Sequence, residues 1–297
     1  VAMNSEPIIA GIAALKSIAE VLSTPPIAEP ADPVPARGGA LEVRNLVFSY
    51  GDGPRVLDGM SATFEPGTLT ALVGSSGSGK STVARLLARF HDPVEGSVLL
   101  GGVDLRDIAV RDVHRSVSVV FQDPQLLTLP LRENIRLARR DATDGEIMAA
   151  AKLANLDAVI AALPKGLDSV VNVDVTFSGG EAQRVAIARS IVTDAPVLIF
   201  DEATAYADPA SEALIQSAIE RLARSRTVIV IAHRLSTIRN ADRILVLDGG
   251  AVAEVGTHDE LLARGGRYRD LWRAFVLDDE PSAPRGTESD DEKAANR

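Results

Sequence analysis

The 297-residue sequence has no cysteine, which excludes disulfides, zinc–thiolate sites and thiol nucleophiles and suits a reducing compartment. Lysine is scarce: Lys16, Lys80, Lys152, Lys165 and Lys293 are the only five among 31 basic residues. Acidic residues number 41, so the net charge is −10, and a nucleic-acid-binding surface is not expected as the main business of the chain. Aromatic residues make up only 4%, leaving the core to aliphatic side chains. Long hydrophobic runs are missing too. The longest candidate, residues 7–22, is interrupted by Lys16 and Glu20 and falls short of the ~20 residues that span a bilayer. No basic segment precedes it, so a secretory leader is not expected, and any membrane connection would come through a partner or through sequence beyond this chain. What is present is a globular composition, 46% hydrophobic and 24% charged, enough for one large domain or two small ones.

One stretch stands out: Gly74-Ser75-Ser76-Gly77-Ser78-Gly79-Lys80-Ser81, followed by Thr82. It fits the phosphate-binding pattern G-x-x-x-x-G-K-[ST]. It also has the right context, with an apolar run at 69–73 before it and a helical pattern at 81–90 after it. Glycines let the backbone curl so that successive N–H groups face phosphate oxygens. Lys80 brings a charge to the β- and γ-phosphates, and Ser81 offers a hydroxyl to Mg²⁺. The start of the helix adds the positive end of its dipole.

Around this loop the chain reads as several pieces. Residues 4–23 have the spacing of a short amphipathic helix. Residues 24–40 carry Pro25, Pro26, Pro30, Pro33 and Pro35 and read as a stiff, extended linker. The folded body is expected from about Leu41 to Leu277, with strands at 41–48 and near 62–65, 69–73, 97–100 and 116–120. Residues 125–175 are rich in Ala and Leu at helical spacing and read as a helical insert. Strand and helix patterns then alternate at 197–200, 210–224, 227–231 and 244–247, which implies a parallel sheet with crossover helices. Residues 278–297 are acidic without apolar period and are expected to be disordered.

Two further motifs point to chemistry. Val197 to Phe200 followed by Asp201 and Glu202 reads as a buried strand ending in two carboxylates. Ligands sit beyond the carboxyl ends of such strands, where Asp201 would help hold Mg²⁺ and Glu202 would act as general base on the attacking water. Alone, the same pattern fits a surface turn after a strand. Ser178-Gly179-Gly180-Glu181 precedes another helical pattern. It fits an ordinary N-capped helix or a second anion site at a helix start.

Taken in order, Tyr50 after Phe48-Ser49, the glycine loop, Gln122 after Phe121, Phe177-Ser178-Gly179-Gly180-Glu181, Asp201-Glu202, Asp208, and His233 within Ile231-Ala232-His233-Arg234-Leu235-Ser236-Thr237 resemble the nucleotide-binding domain of ATP-binding-cassette (ABC) transporters. The resemblance spans about residues 41–277. With Gly256-Thr257-His258 it looks like the exporter-type branch. It implies an α/β P-loop NTPase core with a parallel sheet, an antiparallel β subdomain and a helical subdomain at about 123–178. ATP and Mg²⁺ are the implied cofactors, with residues 74–82 around the phosphates and Ser81, Gln122 and Asp201 at the metal. Tyr50 would stack on adenine. Gln122 would touch the metal and the attacking water and sense a transmembrane partner. His233 would bind the γ-phosphate, and Asp208 would sit at a dimer interface. Ser178, Gly179 and Gly180 would close over ATP held by a second nucleotide-binding domain. The implied location is the cytoplasmic face of the inner membrane. Residues 1–23 would then be the cytoplasmic end of a last transmembrane helix.

Three departures from the family pattern are visible. Phe177 and Glu181 stand where Leu and Gln are usual, Ala205-Tyr206-Ala207-Asp208 replaces the common Ser-Ala-Leu-Asp, and Asn172-Val173 replaces Gly-Glu. The second of these, with the Phe-Ser-Gly-Gly-Glu signature, looks most like exporter-fold siderophore transporters of GC-rich bacteria, which import despite their fold. An iron-siderophore is the cargo this implies. A soluble, non-transport ABC ATPase is the alternative, but those usually carry two cassettes or a long coiled-coil insert. The roughly 55 residues between Gln122 and Ser178 leave no room for such an insert. A P-loop kinase is disfavoured by the signature and His233.

Overall fold

The computed structural model describes residues 6–23, 25–201, 208–232 and 234–279. Two sequence-predicted catalytic residues, Glu202 and His233, therefore lie outside the described residues. So do residues 203–207 and, from residue 280 onward, the acidic C-terminal segment.

The elements in chain order are α1 (Glu6–Ser23), β1 (Leu41–Ser49), β2 (Arg55–Phe64), β3 (Leu69–Gly74), α2 (Lys80–Leu87), β4 (Glu95–Leu100), β5 (Val103–Asp104), α3 (Val110–Ser116) and β6 (Val117–Val120). Then come α4 (Leu131–Ile135), α5 (Asp144–Leu153), α6 (Asp157–Ala162), α7 (Gly179–Val192), β7 (Val197–Asp201), α8 (Pro209–Ala223) and β8 (Thr227–Ile231). The chain ends with α9 (Leu235–Arg239), β9 (Arg243–Asp248), β10 (Ala251–Gly256), α10 (His258–Arg264) and α11 (Arg267–Asp279).

These strands form two sheets. One is four-stranded and antiparallel, in the order β2-β1-β4-β5. The other is six-stranded, in the order β10-β9-β3-β8-β7-β6; its inner pairings are parallel, and only the outer strand β10 runs antiparallel to its neighbour. The sequence anticipates the parallel strands but not β10, which follows the Gly249-Gly250 turn. The outer strands are β2 and β5 in the first sheet and β6 and β10 in the second.

The parallel strands read in sequence as unbroken apolar runs because they are covered on both faces. Side chains of a strand alternate between faces, so each run is shared between two cores. Leu198, Phe200, Val228 and Val230 enter one core with the helical stretch around Leu131, Ile147 and Leu156. Val197, Ile199, Ile229 and Ile231 enter the other, which lies against α2 and the antiparallel sheet. The six-stranded sheet is thus the wall between two hydrophobic cores, and α2 is packed between the two sheets.

The helical stretch is fixed by buried polar groups as well as apolar ones. Asn134, fully buried, donates to the carbonyls of Leu127 and Leu129 and accepts from the Leu127 N–H. Arg189 of α7 donates to the carbonyls of Asn134 and Gln125, and burial pulls its pKa down. Residues 25–40, read as a linker, have no regular structure but do not stand clear of the body. The Val34 N–H donates to the Asp107 carbonyl, the Gly101 N–H donates to the Ala40 carbonyl, and the Thr227 hydroxyl donates to the Gly39 carbonyl. A Cβ on Gly101, which sits at φ 57°, would collide with the Arg37 carbonyl. On α1 the side chains of Ile12, Leu15, Ile18 and Leu22 are exposed.

Candidate nucleotide site

Parallel pairing brings the carboxyl ends of four strands to one edge of the sheet. Leu72 of β3 is level with Ile231 of β8, Ile231 with Asp201 of β7, and Phe200 with Val120 of β6. The glycine loop, Asp201 and the Gln122-bearing loop therefore emerge side by side, where ligands bind in such sheets. Gln122 itself is exposed on that edge.

The loop feeds α2 through Gly79, which adopts the left-handed region at φ 99°. A side chain there would be strained, and its Cβ would lie 2.7 Å from the Leu57 methyl. No side chain caps the start of α2, and its first turn has no acidic residue. Its N–H groups are left for a ligand. Ser75, Ser76 and Gly77 are exposed at the crest of the loop, whereas Gly74, Ser78, Gly79 and Lys80 are buried. The Lys80 ammonium donates to the Gly74 and Ser75 carbonyls, each at 2.9 Å. A cavity of 220 Å³ opens here, lined by Val56, Ser76, Gly77, Gly79, Lys80, Ser81 and Thr82.

Ser81 Oγ lies 3.4 Å from Asp201 Oδ1. A hydroxyl and a carboxylate side by side fit Mg²⁺, which uses one or two protein oxygens and completes its shell with phosphate and water. Among the described residues there is no group of three or more His, Asp or Glu that could hold a metal ion.

Tyr50, 40% exposed, stands beside this cavity. Its hydroxyl lies 3.2 Å from Thr82 Oγ1 and accepts from Arg85 Nη1 at 3.1 Å. Its ring lies at right angles to Phe48 at 4.9 Å and to His91 at 5.4 Å. An exposed aromatic ring beside the cavity is suited to meet another π-system. Sequence reasoning missed Arg85 and His91. Arg85 falls one turn after Ser81 on α2, but nothing in the sequence shows that this turn meets Tyr50.

Ser178 begins α7 with a complete capping box. Its hydroxyl accepts from the Glu181 N–H, and the Glu181 carboxylate accepts from the Ser178 N–H. Ser178 and Gly179 are exposed while Gly180 is buried. Among the described residues no hydrogen bond joins Ser178 to the glycine loop of its own chain. Asp208 caps α8 by accepting from Ala210 N and Ser211 N, both at 3.0 Å. The Ser211 hydroxyl, followed by these N–H groups, holds its carboxyl below the ordinary aspartate range.

Comparison with known proteins agrees with this geometry. The profile of the family described as ABC transporter matches residues 57–205. The mycobactin import ATP-binding/permease protein IrtA of Mycolicibacterium thermoresistibile is 53% identical over 237 residues, covering 80% of this chain and 26% of the relative. The ATP-dependent lipid A-core flippase of Burkholderia pseudomallei is 46% identical over 245 residues, covering 81% of this chain and 41% of the relative. A solved structure of a bacterial Atm1-family ABC exporter with ATP bound superposes with a TM-score of 0.81 at 40% identity, covering 92% of this chain and 48% of that one. The chain thus spans about a quarter to a half of the length of these relatives. An α/β core with one antiparallel and one mixed sheet, an uncapped phosphate loop at the sheet's edge and these matches lead to one conclusion: the chain belongs to the ABC transporter family and is the ATP-binding, ATP-hydrolysing domain of an exporter-type member.

Proposed function

We propose that this domain powers transport across the inner membrane, from its cytoplasmic face, by ATP-driven pairing with a second nucleotide-binding domain. The second domain belongs to another copy of this chain or to a homologue. The observation that carries the reading is the placement of Ser81 and Asp201 together under the open start of α2. Each bound ATP would have its base on Tyr50, its phosphates in loop 74–82 and against Lys80, and its γ-phosphate covered by Ser178, Gly179 and Gly180 of the opposing domain. Mg²⁺, held by Ser81, Asp201 and Gln122, would neutralise charge developing on the phosphates. Glu202 would accept a proton from the attacking water, His233 would hold the γ-phosphate, and Asp208 would face the partner domain. That among the described residues no hydrogen bond joins Ser178 to its own loop supports a composite site.

The working body is residues 41–277, with 123–178 as its helical subdomain. Residues 1–23, which include the helix Glu6–Ser23, would lead in from the cytoplasmic end of a last transmembrane helix, and the transmembrane domain would be the second partner. Among the described residues no helix is long and apolar enough to cross a membrane. The mycobactin-import relatives and the signature variant favour an iron-siderophore as cargo.

A mixing experiment tests the composite site. Lys80→Ala leaves a sound signature but a defective loop, and Ser178→Arg does the reverse. Each variant alone should be inactive, and a titration of one into the other should recover ATP hydrolysis, greatest near equal amounts. A flat titration in which crosslinking shows mixed dimers would remove the two-chain site.

A further inference from the structure

Arg89 heads the fully buried side chains by size, and it sits just beyond the end of α2. A buried cation is costly unless it is fully hydrogen-bonded. Arg89 Nη1 donates to the Ile108 carbonyl at 2.7 Å, Nη2 to the Ala28 carbonyl at 2.8 Å, and Nε to the Asp92 carboxylate at 3.1 Å. Its backbone is left-handed, at φ 52°, so the helix stops and the chain turns sharply. The next side chains leave in different directions. Phe90 stacks on Phe121, the residue before Gln122, at 5.9 Å. His91 meets Tyr50 edge-on. The Phe121 carbonyl in turn accepts from Gln183 of α7.

One four-residue turn thus touches the base platform, the Gln122 loop and the segment upstream of the folded body. That segment is seated by the Arg89 bond to Ala28, the Val34 N–H to Asp107 and the Val110 N–H to the Glu29 carboxylate at 3.1 Å, and by Ala36 packed against the second core. Between the turn and the phosphate loop lies α2, a rigid rod of eight residues, ~12 Å long.

We propose that the turn Arg89–Asp92 couples nucleotide occupancy to the seating of residues 28–37, with Arg89 and His91 as positioning residues. Phosphate at the head of α2 and adenine on Tyr50 both restrict the rod and the His91 contact. The guanidinium is then held more firmly on Ala28, and the segment leaves its seat less often. Coupling of this kind is reciprocal: ATP tightens the segment by the same factor by which the seated segment tightens ATP. The proposal rests on Tyr50 as the base platform.

The test is amide hydrogen exchange on the whole 297-residue chain, with and without ATP in the absence of divalent metal, alongside ATP affinity by calorimetry. In the unmodified protein ATP should slow exchange at Val34 and Val110 by about fivefold or more. Arg89→Met should abolish both the basal protection and the ATP effect while the amides of β3 and β8 stay protected. His91→Ala should keep the basal protection and lose the part of the ATP effect that adenine supplies through Tyr50. Glu29→Ala, which alters only the upstream segment, serves if Arg89→Met does not fold. It should unseat the segment and weaken ATP binding, by at most the factor by which ATP slows exchange. Normal ATP affinity with no change in exchange at Val34 and Val110 would overturn the coupling alone. So would a Glu29→Ala protein whose Val34 amide is unprotected yet whose ATP affinity is unaltered, or a full ATP effect in His91→Ala. Absence of ATP binding would instead overturn the nucleotide site and the coupling with it.

Discussion

The domain begins several helices with the same device and leaves α2, like the short helices α3, α4, α6 and α9, without it. Helices α5, α7 and α10 each open with a complete capping box: Thr143 with Glu146, Ser178 with Glu181, and Thr257 with Glu260. Helix α8 is capped by Asp208. Helix α2 has only Gly79, no side-chain cap and no acid in its first turn. The capped starts satisfy their own N–H groups and gain stability, typically ~1 kcal/mol per cap. The open start forgoes that stability, and its N–H groups stay available to an anion. The contrast between α2 and α7 is the most instructive, because both are proposed to face the same phosphate from opposite chains. The phosphate loop meets it with free donors and Lys80, whereas the signature meets it through a box whose carboxylate, Glu181, must share the space.

Substitutions at five residues would break or sharpen this contrast. An open helix start binds phosphate but moves no proton, so the largest loss should come from Glu202→Gln. Turnover should fall by about 10²–10⁴ with ATP affinity retained, measured by steady-state hydrolysis and calorimetry. Light scattering should show that variant as a dimer only when ATP is present. Lys80→Ala strips the open start of its cation and should weaken ATP binding by about 10- to 100-fold, read by calorimetry. Tyr50→Ala removes the platform beside that start and should cost about tenfold in ATP affinity, while Tyr50→Phe keeps most of it. At the capped start, Glu181→Gln keeps the box but removes its charge. The KM for ATP should fall by about two- to fivefold with stability unchanged, whereas Glu181→Ala should also lower stability by ~1 kcal/mol. An unchanged or higher KM would mean that α7 does not face phosphate.

The smallest effect concerns a cap with no phosphate nearby. The Thr143 N–H, then Arg139 and the Thr143 hydroxyl, lower the Glu146 pKa from 4.5 to about 2. A depressed carboxyl stabilises the fold fully above its ordinary value and loses that contribution as pH falls through the folded value. The contribution of Glu146 should therefore fade between about pH 4.5 and 2. Urea unfolding over that range should show a shallower acid loss in Glu146→Gln.

The sequence displays this site well where function and local pattern coincide. The loop 74–82, the apolar strand ending at Asp201 and the cap at Ser178 are each a few consecutive residues whose chemistry announces itself. Other parts are silent for physical reasons. Helix α3 buries only Val113 in its seven residues, so no period can emerge. Strand β10 is half-buried along most of its length and lacks clean alternation. Residues 25–40 look like a free spacer because backbone groups do most of the docking, at Ala28, Val34, Gly39 and Ala40, and any residue carries those groups. The Arg85, Phe90 and His91 contacts depend on where Tyr50 and Phe121 arrive in space. The division of the apolar strands between two cores becomes visible only once the sheet has formed.

The outer strands of the two sheets have a consequence for how copies of this domain meet. An unpaired strand edge invites another chain to add to it. Here β5 has two residues and β6 four, too short to recruit a partner strand. The ten-residue β2 has its rim engaged, since the Asp58 N–H donates to the Gly250 carbonyl and Arg243 donates to the Thr63 carbonyl. Self-association by strand addition is therefore poorly served at these three edges. The ligand-dependent pairing proposed above would then rely on the loops at the strand ends and not on these three edges.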